Sequence, residues 1–267
     1  MAARENLRKE DIIGLIPAGG SATRLDPLPC SKELYPIGFR LVDGGRETRP
    51  KVASHYLLEK MQLAGITKAY IVLRQGKWDI PRYLGDGSML NMHLGYLIVN
   101  LPFGAPFTLD QAYPFVRDAL IAFGFPDILF QPDNVFIQLL TYLEGNHADV
   151  VLGLFPADQP DKMDMVEVDH AGRVMRMVVK PRHTELKYSW AIALWTPVFS
   201  QFLHDHLSAC KDLAADQPEI SVGDVIQAAI DNGLHVDAIV VSDEPYIDIG
   251  TADGLVRGVK YFAGQLT

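Results

Sequence analysis

Short β-rich apolar runs alternate with helix-period patterns over the first two-thirds of the chain. This alternation restricts the fold most, because it calls for a sheet built largely from parallel strands with helices packed on it. The run 12–17 (IIGLIP) is a strand candidate ending on Ala18-Gly19-Gly20. From about Val52 the spacing predicts a helix with Tyr56, Leu57, Met61 and Ala64 on one face and Gly65 as its stop, followed by a strand over 69–74. Residues 110–123 read as a helix with Asp110 at its N-cap, 128–130 as part of a strand, and 149–155 as a strand. After about Met163 the texture changes, and Val166, Val168, Val174, Met177, Val179 and the run 188–195 read as β-ribbons flanking the main sheet. Helices return at 197–210 and 222–231, strands at 236–241 and 246–249, and Gly250-Thr251 opens a last helix. No repeat, low-complexity tract or linker marks a boundary, so residues 1–267 are expected to form one domain.

Composition narrows the function. With 48% apolar and 21% charged residues the chain is too hydrophobic to be disordered, and no apolar run is long enough to cross a bilayer. Twenty-four Lys and Arg against 33 Asp and Glu leave a net charge of −9, which argues against nucleic acid or an anionic membrane as a partner. A bound phosphate must therefore meet a local basic site. Two cysteines, Cys30 and Cys210, exclude a disulfide scaffold and a Cys-rich zinc site, and the eight histidines are scattered without a zinc pattern. Two cysteines and a charged N-terminus without an apolar core suggest a cytoplasmic protein.

The densest chemical signal is Gly19-Gly20-Ser21-Ala22-Thr23-Arg24-Leu25, directly after the first strand and before Lys32. Glycines let backbone N–H groups approach a ligand, and such amides with Arg and Lys suit phosphate oxygens. A Gly-rich turn with a solvated Arg and Lys would read the same locally. The loop lacks G-x-x-x-x-G-K-[ST] and the G-x-G-x-x-G spacing, which removes support for a Walker-type NTPase or a dinucleotide-dependent dehydrogenase.

The stretch AGGSATRLDPLPCSKELYPIG resembles the A-G-G-x-G-T-R-L-x-P loop and following Lys of the sugar-1-phosphate nucleotidyltransferases, most closely the glucose-1-phosphate thymidylyl- and uridylyltransferases. The resemblance continues through YLGDGSMLNMHLGY at 83–96, FPDILF at 125–130, VVKP at 178–181, Glu219-Ile220 with Asp224, and YIDIGTADGL at 246–255. It implies a Rossmann-like three-layer α/β nucleotidyltransferase fold, with a mostly parallel central sheet and small β-ribbon additions. The implied activity joins a nucleoside triphosphate, a pyrimidine one favoured, to a sugar 1-phosphate. The products are an NDP-sugar and pyrophosphate.

By the same resemblance, Ala18, Gly19, Gly20, Ser21, Ala22 and Thr23 wrap the nucleotide, while Arg24 stabilises the leaving pyrophosphate. Lys32 holds the α-phosphate region, Lys180 grips the sugar phosphate, and Glu219 and Trp190 border the acceptor. Asp127 and Asp248 fall on the two aspartates that bind Mg²⁺. Asp133 competes with Asp127, but Asp127 stands at the better distance from Asp149 in the next strand. Asp248 lies between Ile247 and Ile249, where a buried carboxylate without a cationic partner would be costly. A homo-oligomer is left open.

Three departures bear on specificity. Ala22 replaces the third loop glycine, and the stretch from Arg24 to Lys32 is shorter than in the thymidylyltransferases. Val179 replaces the acidic residue that reads sugar hydroxyls, which suggests an acceptor less hydroxylated than glucose 1-phosphate or a non-hexose phosphorylated alcohol. The segment 99–111 is longer than the family's base-reading loop and leaves Asn100 or Gln111 to supply a pyrimidine-reading amide. A catalytically silent relative that binds a nucleotide sugar is the rival reading. The presence of all three cations and both metal carboxylates argues against it.

Overall fold

The computed structural model describes residues 12–99, 104–210 and 219–262, so Asn100 lies outside the described residues. The chain opens with strand β1 (Ile12–Ala18), then a hairpin of β2 (Pro36–Val42) and β3 (Glu47–Val52), and helix α1 (Ala53–Leu63). Next come β4 (Lys68–Arg74), α2 (Asp79–Leu84), β5 (His93–Val99), α3 (Ala105–Asp110), α4 (Tyr113–Val116), β6 (Leu120–Gly124) and β7 (Ile128–Leu129). The middle holds α5 (Val135–Gly145), β8 (Val150–Pro156), β9 (Asp164–Val168), β10 (Val174–Val179) and β11 (Tyr188–Trp195). It closes with α6 (Pro197–Cys210), α7 (Val222–Asp231), β12 (Val236–Val240), β13 (Ile247–Asp248) and α8 (Ala252–Phe262).

The main sheet runs β10-β9-β11-β6-β1-β4-β5, with β8 joining β11 to β12. β6, β1, β4 and β5 are mutually parallel, as are β8 and β12, while β11 is antiparallel to β6, β8 and β9. Side-chain alternation along the strands separates two cores. Ile16, Val151 and Ile192 join Leu57, Met61, Phe136 and Leu139 of α1 and α5 on one side. On the other side Leu15, Leu152 and Ala193 meet Phe107, Phe199, Leu203, Val225 and Ile226 of α3, α6 and α7. This is the three-layer α/β arrangement expected. A third, small core packs Ile37, Tyr56, Ile249 and Phe262, which docks α8 on the β2 hairpin.

Two sequence expectations change. Residues 110–123 are not one helix, because α3 ends at Asp110, α4 is a single turn, and Leu120–Gly124 forms the fully buried strand β6. A run apolar at every position fits a strand covered on both faces as well as a helix segment. The run 188–195 does not flank the sheet but sits inside it as β11, while β9 and β10 do form an antiparallel ribbon. The β2–β3 hairpin, α5 and β5 carried no clear signal. Among the described residues no helix is long and apolar enough to cross a membrane.

Candidate active site

The C-terminal ends of β1, β4, β5 and β6 open onto one cleft of about 710 Å³. In an open α/β sheet that end is where loops leave the strands free of covering helices, and here the chain builds outward from β1 to β4 and β5 on one side, then crosses back to β6 on the other. Gly19, Gly20, Ser21, Arg24, Lys32, Asp127, Lys180, Trp190, Glu219 and Asp248 all line it.

Space beside the turn is tight at Gly19 and ordinary at Gly20. A methyl on Gly19 would meet Thr108 Oγ1 of α3 at 3.3 Å, and one on Gly20 would face Lys32 Nζ at 3.8 Å. The turn closes with Leu25 N–H donating to the Ala22 carbonyl at 2.9 Å. Ala22 holds a left-handed φ of 55°, a conformation in which a side chain costs about 1 kcal/mol or more and glycine costs little. Ala18 is buried at the end of β1, and neither Ala22 nor Thr23 contributes to the cleft wall.

The paired strands β7 and β13 bring two distant carboxylates together. Their register sets Asp248 opposite Ile128, and Ile249 N–H donates to the Asp127 carbonyl at 3.1 Å. Around Gly250 a methyl would lie 2.9 Å from Asp248 Oδ1, 3.3 Å from Arg24 Nη2 and 3.4 Å from Asp127 Oδ2, so two acids and a guanidinium converge on one spot. Lys32 Nζ donates to Asp127 Oδ2 at 2.5 Å, and Gly250 N–H donates to Asp248 Oδ1 at 2.7 Å. Burial, and next the neighbouring Asp127, push the Asp248 carboxyl above its ordinary value against Gly250 N–H, Lys32 and Arg24. Burial opposes the Lys32 charge too, but Asp127, with Glu33 and Asp248, outweighs it and holds the ammonium above its usual range. Asp133 pairs instead with Lys60 and does not line the cleft.

Two crowded carboxylates are a donor set for a hard cation. Among the described residues no group of three His, Cys, Asp or Glu side chains forms a closed metal cage. Carboxylates are the donors that Mg²⁺ takes, one or two of them, with water and substrate phosphates completing its octahedron.

At the other end of the cleft, Lys180 follows β10 with a left-handed φ of 43°, its N–H donating to the Met163 carbonyl at 3.1 Å. Trp190 is 4% exposed and packs on Phe123 and Phe125, with ring centroids 5.8 and 6.4 Å away. Val179 is half-buried and absent from the cleft wall, and Gln111 is exposed at the end of α3, outside it. Cleft residues with no sequence signal include Arg74, Lys162, Arg257 and Asp164. Glu33, next to Lys32, forms a buried ion pair with Lys77 at 2.7 Å.

The model of the family described as nucleotidyl transferase matches residues 13–263. The chain belongs to that family. Among its nucleotidyl transferase relatives, the low-salt glycan biosynthesis nucleotidyltransferase Agl11 of Haloferax volcanii is 24% identical over 235 residues. The glucose-1-phosphate thymidylyltransferase of Streptomyces antibioticus is likewise 24% identical over 235 residues. Each alignment takes in 85% of this chain but 60% of the relative, so the chain spans well under two-thirds of their length. The glucose-1-phosphate thymidylyltransferase of Neisseria gonorrhoeae is 24% identical over 254 residues, 93% of this chain and 81% of that protein. A crystal structure of a Bacillus anthracis protein in complex with a sucrose superposes with a TM-score of 0.77 at 19% identity, covering 96% of this chain and 97% of that one. That likeness is one of fold.

Proposed function

We propose that the chain transfers a nucleotidyl group from a nucleoside triphosphate, a pyrimidine one favoured, to a sugar 1-phosphate. The observation that carries this reading is the convergence of Arg24, Asp127 and Asp248 about Gly250, with Lys32 bound to Asp127, at the mouth of the glycine turn. Such a site suits phosphoryl chemistry because the nucleophile is already an anion. Positioning and charge neutralisation are needed more than proton transfer.

In the step, an acceptor phosphate oxygen bonds to the α-phosphorus of the triphosphate while the bond from that phosphorus to the β-phosphate bridging oxygen breaks. Pyrophosphate departs with the electron pair. Arg24 receives the charge growing on the leaving group, Lys32 holds the α-phosphate, and Lys180 across the cleft holds the acceptor phosphate. Asp127 and Asp248 would hold Mg²⁺, which supplies charge neutralisation where the two polyanions meet.

The test crosses the common nucleoside triphosphates with a panel of sugar 1-phosphates and phosphorylated alcohols, reading pyrophosphate release. Release that needs both substrates is expected, and release with no pair would overturn the assignment. With the best pair, Arg24→Ala is expected to lower kcat and kcat/KM for the triphosphate by about 10²-fold. Lys180→Ala is expected to raise KM for the acceptor by about tenfold or more, leaving KM for the triphosphate near its wild-type value. Equal effects on both substrates from both variants would contradict the division of labour.

A further inference from the structure

The acceptor end of the cleft contains a carboxylate that the transfer reading leaves unused. In the β9–β10 ribbon Val179 stands directly opposite Asp164. Directly opposed residues of an antiparallel pair share a face, with Cβ atoms about 5 Å apart. The alternation agrees: Val166 and Met177 join the core under α7, whereas Met165 and Val178 face the other core, so Asp164 and Val179 both point toward α7. Asp164, not Val179, lines the cleft. Its carboxylate lies over the first turn of α7, where a methyl on Gly223 would come within 2.7 Å of Asp164 Oδ2.

The next strand adds a complementary group. β11 pairs with β9 through Tyr188 with Val166 and Ser189 with Met165, and Trp190 continues that register toward Asp164. Trp190 Nε1 and Asp164 Oδ1 are both buried, and among the described residues neither has a hydrogen-bond partner. One is a donor only, the other an acceptor when ionised. Leaving such groups unpaired is costly, and a bound hydroxyl, able both to donate and to accept, would recover that cost.

We infer that Asp164, with Trp190 beside it, reads hydroxyl groups of the acceptor, so that the hydroxyl-binding carboxylate absent at Val179 is supplied from the facing strand. The acceptor class this implies is a polyhydroxylated sugar phosphate and not a deoxygenated or alkyl one, which reverses the expectation drawn from Val179 alone. The inference rests on the transfer reading. Supporting it, burial pushes the Asp164 carboxyl up to about 6, with Lys180 opposing and Asp224 adding to the shift.

The experiment compares kcat/KM for glucose 1-phosphate and each of its monodeoxy analogues, at saturating triphosphate, in wild type, Asp164→Asn, Asp164→Ala and Asp164→Ala/Val179→Glu. Wild type is expected to disfavour at least one analogue by about 10²-fold or more, since a site built to pair a hydroxyl rejects its absence strongly. Asp164→Ala should bring that ratio to within a few-fold while KM for the triphosphate stays within about threefold. The double variant, which returns a carboxylate across the ribbon, should recover at least tenfold of the discrimination. A ratio unchanged in Asp164→Ala, or one lost together with triphosphate binding, would overturn the inference. The near-isosteric Asp164→Asn gives the same reading should the alanine variant fail to fold. A wild type that transfers to no acceptor defeats the transfer reading before any variant is made. Calorimetric binding of glucose 1-phosphate to wild type and Asp164→Asn then decides for Asp164, equal affinities or no binding counting against it.

Discussion

Asp127→Asn and Asp248→Asn are each expected to lower turnover by about 10²-fold or more at saturating substrates, as loss of a metal-directed charge at a phosphoryl-transfer site does. The two carboxylates and Arg24 surround one point at Gly250, so removing either acid halves the anionic donor set. Asp248→Asn should fold at least as well as the wild type, whereas Asp127→Asn also loses the carboxylate that pairs with Lys32 and should melt lower. Asp248 is buried beside Asp127, and relieving that like-charge contact removes a cost. For Asp248→Asn, reduced turnover with an undiminished melting temperature is therefore the signature to measure, and for both variants a higher Mg²⁺ concentration for half-maximal rate. Asp133→Asn supplies the control: its partner is Lys60, outside the cleft, and its turnover should stay within a few-fold of wild type. Near-normal turnover in both cleft variants would remove the metal assignment.

A loss of stability in mild acid is the second large effect. His55 of α1 is 0% exposed, and neither ring nitrogen has a hydrogen-bond partner among the described residues. Burial first, then the charges of Arg40 and Lys51, lower its pKa from 6.5 to about 3. Between these values the unfolded chain binds a proton that the folded chain refuses. Stability from this group is thus fully present above about pH 6.5 and declines as pH falls toward 3, by about 2 kcal/mol at pH 5. Asp164 works the other way, because its carboxyl, raised to about 6, takes up a proton in the folded state first. Comparing wild type with His55→Leu isolates the histidine: the drop in melting temperature from pH 7.5 to pH 5 should shrink by several degrees in the variant. An identical drop in both proteins would show that the imidazole is not what acid attacks.

Local signals were legible wherever a short stretch carries its own reason to fold. The first strand and its glycine turn are read from six apolar residues and two glycines, and they stand at the mouth of the cleft. α6 and α7 follow from periodicity, and α7 starts on a capping box in which Ser221 and Asp224 satisfy each other's backbone N–H groups. Leu120–Gly124 was illegible for the opposite reason. A strand buried on both faces has no polar alternation, and only pairing with β1 and β11 distinguishes it from helix.

Sequence by itself determined the Gly19–Arg24 turn and the alternating α/β class, because strand, turn and helix preferences are set within a few residues, while Lys32, Asp127 and Asp248 became candidates through the family resemblance. Tertiary structure alone decided which of those groups meet. Asp127 and Asp248 become neighbours through the β7–β13 pairing, while Asp133, six residues further on, turns to Lys60. Likewise Val179 looked like a missing carboxylate in one dimension, and the ribbon places Asp164 opposite it. Strand register is a long-range quantity, settled by which faces can be buried together, and it decides which side chains stand within reach of one ligand.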